Sequence, residues 1–171
     1  MKKLENRVAV ITGSSRGIGY SISLAFASEG AKIVATARTK EALDALIAKI
    51  SHTGSEAIAV PADLCLESDI QRIVDEALGK FGKIDTLVNN AAIIHQRVNL
   101  VEFDMTMWRQ VLKVNLTAPA LLIKAVLPNM MANKYGRIIN ISSIGGRKGG
   151  RGRSAYRASK AGLISVPLGD G

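Results

Sequence analysis

Apolar segments of two different periods alternate along the chain. The first, at residues 8–11, is a short and mostly β-branched run of the kind found in strands that are covered on both faces. After a glycine-rich turn, Ile18, Ile22, Ala25 and Phe26 recur at helical spacing, so they share one face of a helix. The pattern predicts a buried strand joined to an amphipathic helix by a tight turn.

The alternation of strand and helix is repeated along the rest of the chain. Strands are predicted at residues 7–12, 32–37, 57–62, 84–90 and 136–143. A long helical pattern over residues 105–127 is interrupted at Pro119, which lacks an N–H, and a last helix is expected to be capped by Ser154. Strands that alternate with helices are typical of an α/β protein with a doubly wound parallel sheet.

Length and composition favour one domain. A chain of 171 residues with 47% hydrophobic composition can bury one substantial core, and no Pro-, Gly- or Ser-rich linker divides residues 1–171. The first apolar run is too short for a signal peptide or a membrane span, and no later run reaches that length, so a soluble cytoplasmic protein is expected. Cys65 is the only cysteine, which excludes an internal disulfide and suggests no cysteine-based metal site.

The formal net charge of +9 is concentrated in one segment. Residues 134–160 hold eight Lys or Arg and no acid, and Arg147, Lys148, Arg151 and Arg153 alternate there with glycines. The segment can be a loop with solvated charge, a loop that attracts an anionic cofactor, substrate or acidic carrier protein, or a nucleic-acid-binding tract. The second interpretation is favoured, and the third is the weakest because no aromatic residues are interleaved.

The turn at residues 12–19 reads Thr-Gly-Ser-Ser-Arg-Gly-Ile-Gly. Glycines lack a Cβ, so the turn can be tight, and the free N–H groups at the helix start can approach a pyrophosphate. The candidate cofactor contacts in it are Gly13, Ser15, Arg16, Gly17, Ile18 and Gly19. The spacing Gly-x-x-x-Gly-x-Gly differs from the commoner Gly-x-Gly-x-x-Gly, so the motif alone also allows a plain connection.

Residues after the next three strands extend this candidate site. Arg38 follows the second strand, where NAD-selective sites usually have an acid, and together with Arg16 it favours a 2′-phosphate and hence NADP(H), although either arginine can be a surface charge. Asp63 and Leu64 follow the third strand and can meet the adenine, although a turn role for Asp63 is nearly as plausible. Asn90 and Ala91 follow the fourth strand, where they allow close approach of a cofactor or form an ordinary turn.

Tyr156 and Lys160 are four residues apart and therefore lie on the same face of the last predicted helix. An ammonium group next to a phenol stabilises the phenolate, which makes the pair suitable for proton transfer. Ser143, at the end of the fifth strand, can add a hydrogen bond to a reacting carbonyl oxygen. A Tyr-x-x-x-Lys pair on a helix is more often a surface pair, so these residues alone are weak support.

Taken together, five elements resemble the short-chain dehydrogenase/reductase family. They are the turn at residues 12–19, Asn89-Asn-Ala-Ala92, Asn115, Ser143 and Tyr156-Arg-Ala-Ser-Lys160, and their order and spacing match from about residue 7 to about residue 165. Within the family, the chain looks most similar to NADPH-dependent ketone reductases and 3-oxoacyl carrier-protein reductases.

The resemblance implies a Rossmann-type doubly wound sheet with strand order 3-2-1-4-5, the later strands of the family being missing. It also implies that Tyr156 protonates the substrate carbonyl and that Lys160 supports Tyr156 and holds the nicotinamide ribose. Ser143 would orient the carbonyl, and Asn115 would complete a proton relay through a water on its backbone carbonyl. The expected assembly is a homodimer or homotetramer.

Two positions depart from the family pattern. Ala92 stands where glycine is usual, which is tolerated if its φ is negative. The chain ends eleven residues after Lys160, and Pro167 is predicted to end the last helix early, so a truncated member without a substrate-covering segment is expected.

Three functions follow as hypotheses. The first is an NADP(H)-dependent oxidoreductase that moves a hydride between nicotinamide and a carbonyl or alcohol carbon of a small or carrier-protein-bound substrate, with no metal. The second is a dinucleotide-binding fragment with little or no turnover, and the third and weakest is a basic nucleic-acid-binding protein.

Overall fold

The computed structural model describes residues 2–166, which form a five-stranded parallel sheet packed between helices. The strands are β1 (Val8–Thr12), β2 (Lys32–Ala37), β3 (Ala57–Pro61), β4 (Thr86–Asn89) and β5 (Arg137–Asn140). The helices are α1 (Gly17–Ser28), α2 (Lys40–Ser51), α3 (Glu67–Phe81), α4 (Met105–Leu112), α5 (Ala118–Ala132) and α6 (Ser154–Ser165). A π-helical turn at Lys113–Thr117 joins α4 to α5, and short 3₁₀ turns lie at Leu100–Glu102 and Ile144–Gly146.

The strand order is β3-β2-β1-β4-β5, and every neighbouring pair is parallel. The predicted α/β fold with order 3-2-1-4-5 is therefore confirmed. The order reverses between β1 and β4, and open α/β sheets bind ligands at such a point, beside the carboxyl ends of the strands. Pro167, which is predicted to end the last helix, lies outside the described residues.

Alternate residues of β1 face two separate cores. Val8 and Val10 pack on the side of the sheet that is covered by α3 and α5. Ala9 and Ile11 pack on the opposite side, which is covered by α1 and α2. Because both faces of this central strand are covered, its sequence is apolar throughout instead of alternating with polar residues.

The strand β5 is shorter than the predicted segment 136–143, because the chain leaves the sheet after Asn140. Ser142 turns towards α6, where its hydroxyl donates to the backbone carbonyl of Lys160 at 2.9 Å. In the described part of the chain β5 pairs only with β4, so it forms one edge of the sheet. Ile139 on this edge is 39% exposed.

The face of α1 that meets the sheet agrees only in part with the predicted one, because Ile22 and Phe26 pack against the core but Ile18 and Ala25 are exposed. Its buried residues are Gly19, Ser23 and Ala27, whereas Ile18 is 62% exposed. A Cβ on Gly19 would lie 2.5 Å from the carbonyl oxygen of Gly13, so the start of α1 lies directly against the turn after β1. This close approach requires small residues on the sheet side, which hydrophobic periodicity does not reveal.

The stretch Met105–Ala132 contains the interruption that was predicted from Pro119. Bonding becomes π-helical at Lys113–Thr117, directly before Pro119 in the first turn of α5, and this proline has no N–H to give to a carbonyl of that preceding turn. Contrary to expectation, this 28-residue stretch, with a mean hydropathy of 1.5 in its most apolar window, is long and apolar enough to cross a membrane. Leu122 and Val126 are nevertheless buried against the sheet, as in a core helix.

A buried carboxylate, Asp85, ties together the amino-terminal ends of β1 and β4. It accepts the Val8 N–H at 2.9 Å and pairs with Arg7 and Lys83, each at 2.9 Å. Burial raises the pKa of Asp85, but the hydrogen bonds from Val8, Lys83 and Arg7 outweigh burial, so the pKa lies below its ordinary value. The carboxylate therefore stays ionised inside the protein.

Candidate active site

A cleft of about 680 Å³ lies at the carboxyl ends of β1 to β4. The predicted cofactor contacts that line it are Gly13, Ser15, Arg16, Gly17, Arg38, Asp63, Leu64, Asn90 and Ala91. Ala92 of the predicted segment at residues 89–92 also lines it, and the lining residues that sequence reasoning missed are Thr36, Ala37, Thr39, Ala42, Ala62, Cys65, Ile93, Gln110 and Val114. Most of them lie next to the ends of strands, so the predicted strands would have indicated them. Gln110 and Val114 lie in the long helical stretch, and nothing in the sequence indicated that they line the cleft.

Two predicted contacts from the glycine turn do not line the cleft. Ile18 points away from the core and is exposed, and Gly19 is buried beneath the turn. A Cβ on Gly19 would lie 2.5 Å from Nδ2 of Asn90 as well as from the Gly13 carbonyl, so this glycine serves the packing of the turn. Tyr156 and Lys160 also lie outside this lining and belong to a second group of side chains.

The other two glycines of the turn have left-handed backbone angles. Gly13 has φ +70°, and a Cβ there would lie 2.9 Å from the Cα of Ala91. Gly17 has φ +60°, and no atom lies within 4 Å of its Cβ position, so it faces open space. No side chain caps the start of α1, which leaves backbone N–H groups available to an anion.

The glycine turn is fixed to the loop after β4 by hydrogen bonds. The Thr12 hydroxyl oxygen accepts the N–H groups of Asn90 at 2.9 Å and Ala91 at 3.0 Å. The Asn90 amide donates to the Thr12 carbonyl at 2.8 Å, so its side chain binds backbone. Ala92 is not among the described residues with positive φ, which agrees with the expectation that alanine is tolerated there.

The groups around the cleft fit an anionic nucleotide. Arg16 and Arg38 both line it and are exposed, while Asp63 is the only acid among the described lining residues. The Thr36 hydroxyl is buried at the cleft without a hydrogen-bond partner. Asp63 accepts the N–H of Cys65 at 2.9 Å, so it has the turn role in addition to its place in the lining.

Lys160 is buried next to the end of β5. Lys160 is only 2% exposed, and its Nζ donates to the Ile141 carbonyl at 2.6 Å. Burial lowers the pKa of Lys160. Nζ also lies 6.0 Å from the centre of the Tyr156 ring, so α6 brings the predicted pair onto one face.

Ser143 and Tyr156 both lie close to Gly145. The position of a Cβ on Gly145 is 3.4 Å from the Ser143 hydroxyl oxygen and 4.0 Å from Cε1 of the Tyr156 ring. The Ser143 oxygen accepts the Gly145 N–H at 3.1 Å, which leaves its own proton for donation. The structure thus brings Ser143, Tyr156 and Lys160 together, as predicted.

Asn115 connects this group to the loop after β4. Its fully buried side chain accepts the Ile93 N–H at 2.7 Å and donates to the Ile93 carbonyl at 2.9 Å. It also donates to the Ser159 hydroxyl at 3.1 Å, next to Lys160 in sequence. The side chain is therefore engaged in fixing the π-helical turn against both the loop and α6.

The predicted cap of the last helix is wrong. Ser154 is the first residue of α6 instead of the residue before it, and its buried hydroxyl has no hydrogen-bond partner. Arg153 occupies the cap position and makes no capping bond with its side chain. The helix therefore depends on groups from elsewhere to satisfy its first N–H groups.

The sequence model of the family described as "short chain dehydrogenase" matches residues 7–167. The chain belongs to the short-chain dehydrogenase family. This confirms the resemblance on which the motif analysis was based, and the short-chain dehydrogenases are oxidoreductases.

Relatives with similar sequences include several reductases. A 3-oxoacyl-[acyl-carrier-protein] reductase of Synechocystis sp. is 42% identical over 165 residues, which cover 96% of this chain and 66% of the relative. The 3-oxoacyl-[acyl-carrier-protein] reductase FabG of Thermotoga maritima is 35% identical over 164 residues, with 96% and 66% covered. The chain thus spans just under two thirds of the length of these relatives.

Solved structures with the same fold bind both nicotinamide cofactors. A metagenomic short-chain oxidoreductase in complex with NADP superposes with a TM-score of 0.92 at 40% identity, covering 95% of this chain and 74% of the other. A xylitol dehydrogenase bound to NAD+ also gives a TM-score of 0.92 at 33% identity, covering 96% and 64%. The fold of the family is therefore compatible with either cofactor.

Proposed function

We propose that this protein is an NADP(H)-dependent reductase that transfers a hydride between nicotinamide and a carbonyl or alcohol carbon. The observation that carries the proposal is the group formed by Ser143, Tyr156 and Lys160 beside the cleft. In this group a phenol, a buried ammonium and a hydroxyl with a free proton lie together. This arrangement can protonate and orient a carbonyl oxygen without a metal.

The cleft would hold the adenine half of the cofactor through the glycine turn, Asp63 and Leu64, with Asn90 and Ala91 beside the rest. When bound, the nicotinamide supplies or accepts the hydride. In the reductive direction the Tyr156 hydroxyl gives its proton to the substrate oxygen, which becomes the alcohol. The Lys160 ammonium stabilises the resulting phenolate, and Ser143 donates a hydrogen bond to the same substrate oxygen.

Tyr156 must then be reprotonated before the next turnover. Lys160 and the carbonyl of Asn115 are the proposed path to solvent, because the Asn115 side chain is bonded to Ser159, the residue before Lys160 in the sequence. Pro119 supports this assignment, since it has no N–H with which to occupy the Asn115 carbonyl in an α-helical pattern. The proton thus enters from the side of the π-helical turn.

The preference for NADP(H) over NAD(H) is supported by Arg16 and Arg38, which line the cleft where a 2′-phosphate would lie. We expect Arg38→Asp to weaken NADPH binding by about ten- to a hundredfold, which corresponds to the loss of one charge-assisted contact, and to spare NADH. Titration of both cofactors measures this. Lys49→Asp is the control, because it changes the net charge equally on α2 away from the cleft. Equal affinity of the unmodified chain for NADPH and NADH would contradict the preference.

The substrate is proposed to be a small or acyl-chain carbonyl compound, free or attached to a carrier protein. Six basic residues lie in α6 or in the segments before it, and none of them takes part in the described ion pairs. They are Arg97, Arg147, Lys148, Arg151, Arg153 and Arg157. Their charge favours an anionic substrate or an acidic carrier. The protein would act in the cytoplasm as a homodimer or homotetramer, and light scattering of the purified chain tests that assembly.

The assignment of Tyr156 is tested by Tyr156→Phe, which removes only the phenol oxygen. We expect reduction of ethyl acetoacetate, a soluble 3-oxo ester, to fall by about 10²- to 10⁴-fold, while NADPH affinity changes by less than about threefold. Tyr135→Phe is the matched control, because that ring stacks under Arg7 away from the cleft. Adding a 3-oxoacyl carrier protein as second substrate distinguishes free from carrier-bound substrates.

Three outcomes of this experiment decide between the functions. A Phe variant that keeps most of its activity would show that the acid is another residue. Saturable NADPH binding without turnover in the unmodified chain would favour the dinucleotide-binding fragment. A higher kcat/KM with the carrier-bound substrate would favour a carrier-dependent reductase.

A further inference from the structure

The first turn of α6 is completed by a residue from a distant part of the chain. In an α-helix that begins at Ser154, the first N–H with an acceptor inside the helix is that of Arg157, which donates to the Arg153 carbonyl at 2.9 Å. The N–H just before it belongs to Tyr156. It donates to Nε2 of His95 at 3.4 Å, across a sequence separation of 61 residues.

The two hydrogen bonds of the His95 ring define its protonation state. Nδ1 lies 2.6 Å from the carbonyl oxygen of Gln96, and because a carbonyl can only accept, Nδ1 carries the proton. The Tyr156 N–H can only donate, so Nε2 must be unprotonated. His95 is therefore assigned as the neutral Nδ1–H tautomer on the basis of its partners.

The His95 ring is held in place by packing. The residue is 9% exposed, and its ring makes an edge-on contact with Phe103 at a centroid distance of 4.5 Å. Phe103 in turn belongs to a small apolar cluster with Ala155, which precedes Tyr156 in α6. A second bond, from the Val98 N–H to the Gly152 carbonyl at 3.0 Å, joins the same segment to the loop before α6.

We propose that His95 is a positioning residue for Tyr156, acting as the hydrogen-bond acceptor that the start of α6 otherwise lacks. The backbone of Tyr156 is then fixed relative to the loop after β4, the loop that also lines the cofactor cleft through Asn90 to Ile93. Tyr156 and the lining of the cleft are thereby connected to the same loop. The catalytic consequence rests on the proposed function, whereas the hydrogen bond itself does not.

Two substitutions separate the acceptor from the ring. His95→Gln can place its side-chain oxygen near the position of Nε2 and so keeps an acceptor without a ring. His95→Phe keeps an aromatic ring against Phe103 but has no acceptor. A role in packing alone predicts that Phe is the better replacement, and a role as acceptor predicts that Gln is.

The hydrogen bond is measured by NMR on the cofactor-free chain. In the unmodified protein, ¹⁵N spectra of the imidazole should show the Nδ1–H tautomer for His95. In His95→Phe, hydrogen exchange of the Tyr156 amide should become at least about tenfold faster relative to that of Arg157, which keeps its acceptor inside α6. In His95→Gln the same ratio should stay within about threefold of the unmodified protein.

Turnover of ethyl acetoacetate gives the second readout. We expect kcat of His95→Phe to fall at least about fivefold with the KM for NADPH within about twofold, and His95→Gln to recover most of the loss. An Nε2–H tautomer, or equal amide exchange in the two variants, would overturn the proposal. If the unmodified chain shows the Nδ1–H tautomer and the expected exchange but no turnover, the positioning bond stands and the proposed function fails. The tautomer is read on the unmodified chain, so misfolding of a variant does not remove the test.

Discussion

At the scale of single residues, Asp85 shows how hydrogen bonds decide the state of a buried charge. Its side chain is 5% exposed, yet the donors Val8, Lys83 and Arg7 hold its pKa below the ordinary value. The pKa of an aspartate in an unfolded chain is about 3.9. Asp85 therefore stabilises the fold fully above that pH, and the contribution is lost as the pH falls through the lower pKa of the folded state.

We expect Asp85→Asn to lower the free energy of unfolding at pH 7 by about 2 kcal/mol, because two cations lose their counter-charge at the ends of β1 and β4. The difference from the unmodified chain should shrink as the pH is lowered towards about 3. Urea unfolding at pH 7 and at lower pH measures both effects. Asp44→Asn, which removes only an exposed pair with Lys40, serves as control and should change little. An Asp85→Asn variant that is as stable as the unmodified chain at every pH would contradict this account.

The single residues of the site were the part most accessible to sequence analysis. Tyr156 and Lys160 follow from helical spacing, and Arg16 and Arg38 from their places after a glycine turn and a strand. His95 could not be found in this way, because its partner is a backbone N–H 61 residues away. A lone histidine in a loop carries no pattern that distinguishes an acceptor from a surface residue.

At the scale of helices and strands, two glycines in helices meet opposite surroundings. A Cβ on Gly19 in α1 would lie 2.5 Å from both the Gly13 carbonyl and Asn90, whereas one on Gly79 in α3 would meet nothing within 4 Å. We expect Gly79→Ala to stabilise the protein by about 0.5 to 1 kcal/mol through helix propensity. Gly19→Ala should instead destabilise it by about 2 kcal/mol and weaken cofactor binding, because the turn after β1 must move.

The two glycine variants control each other, since the chemical change is the same in both. Urea midpoints report stability, and an NADPH titration reports the turn. If Gly19→Ala were as stable as Gly79→Ala and bound NADPH normally, the close approach of α1 to the turn would not constrain the site.

The type of helical hydrogen bonding and the buried faces of the helices were only partly predictable. Pro119 indicated an interruption, but the π-helical turn at Lys113–Thr117 also involves the bonds of Asn115 to Ile93 and Ser159, which come from other segments. The buried face of α1 was predicted only in part for the same reason, since Ile22 and Phe26 pack against the core but Gly19, Ser23 and Ala27 are the residues that are fully buried. Periodicity reports which residues share a face, while tertiary contacts decide which face is covered.

At the scale of the whole molecule, the strand order was predicted, because it follows from the order of motifs that the family shares. The limits of β5 were not. Its carboxyl end is set by contacts with α6, through Lys160 to Ile141 and Ser142 to Lys160, which local sequence does not show. The lysine that we propose for catalysis thus also holds the end of β5, through its bond to the Ile141 carbonyl.

The position of each part of the site along the chain has a consequence for its biosynthesis. Among residues 2–166, those that line the cleft lie between Gly13 and Val114, whereas the proposed catalytic residues begin at Asn115 and end at Lys160. A ribosome therefore completes the lining of the cleft before it has added any of the residues proposed for chemistry. Nucleotide can accordingly enter the cleft and stabilise the emerging polypeptide before those residues are present.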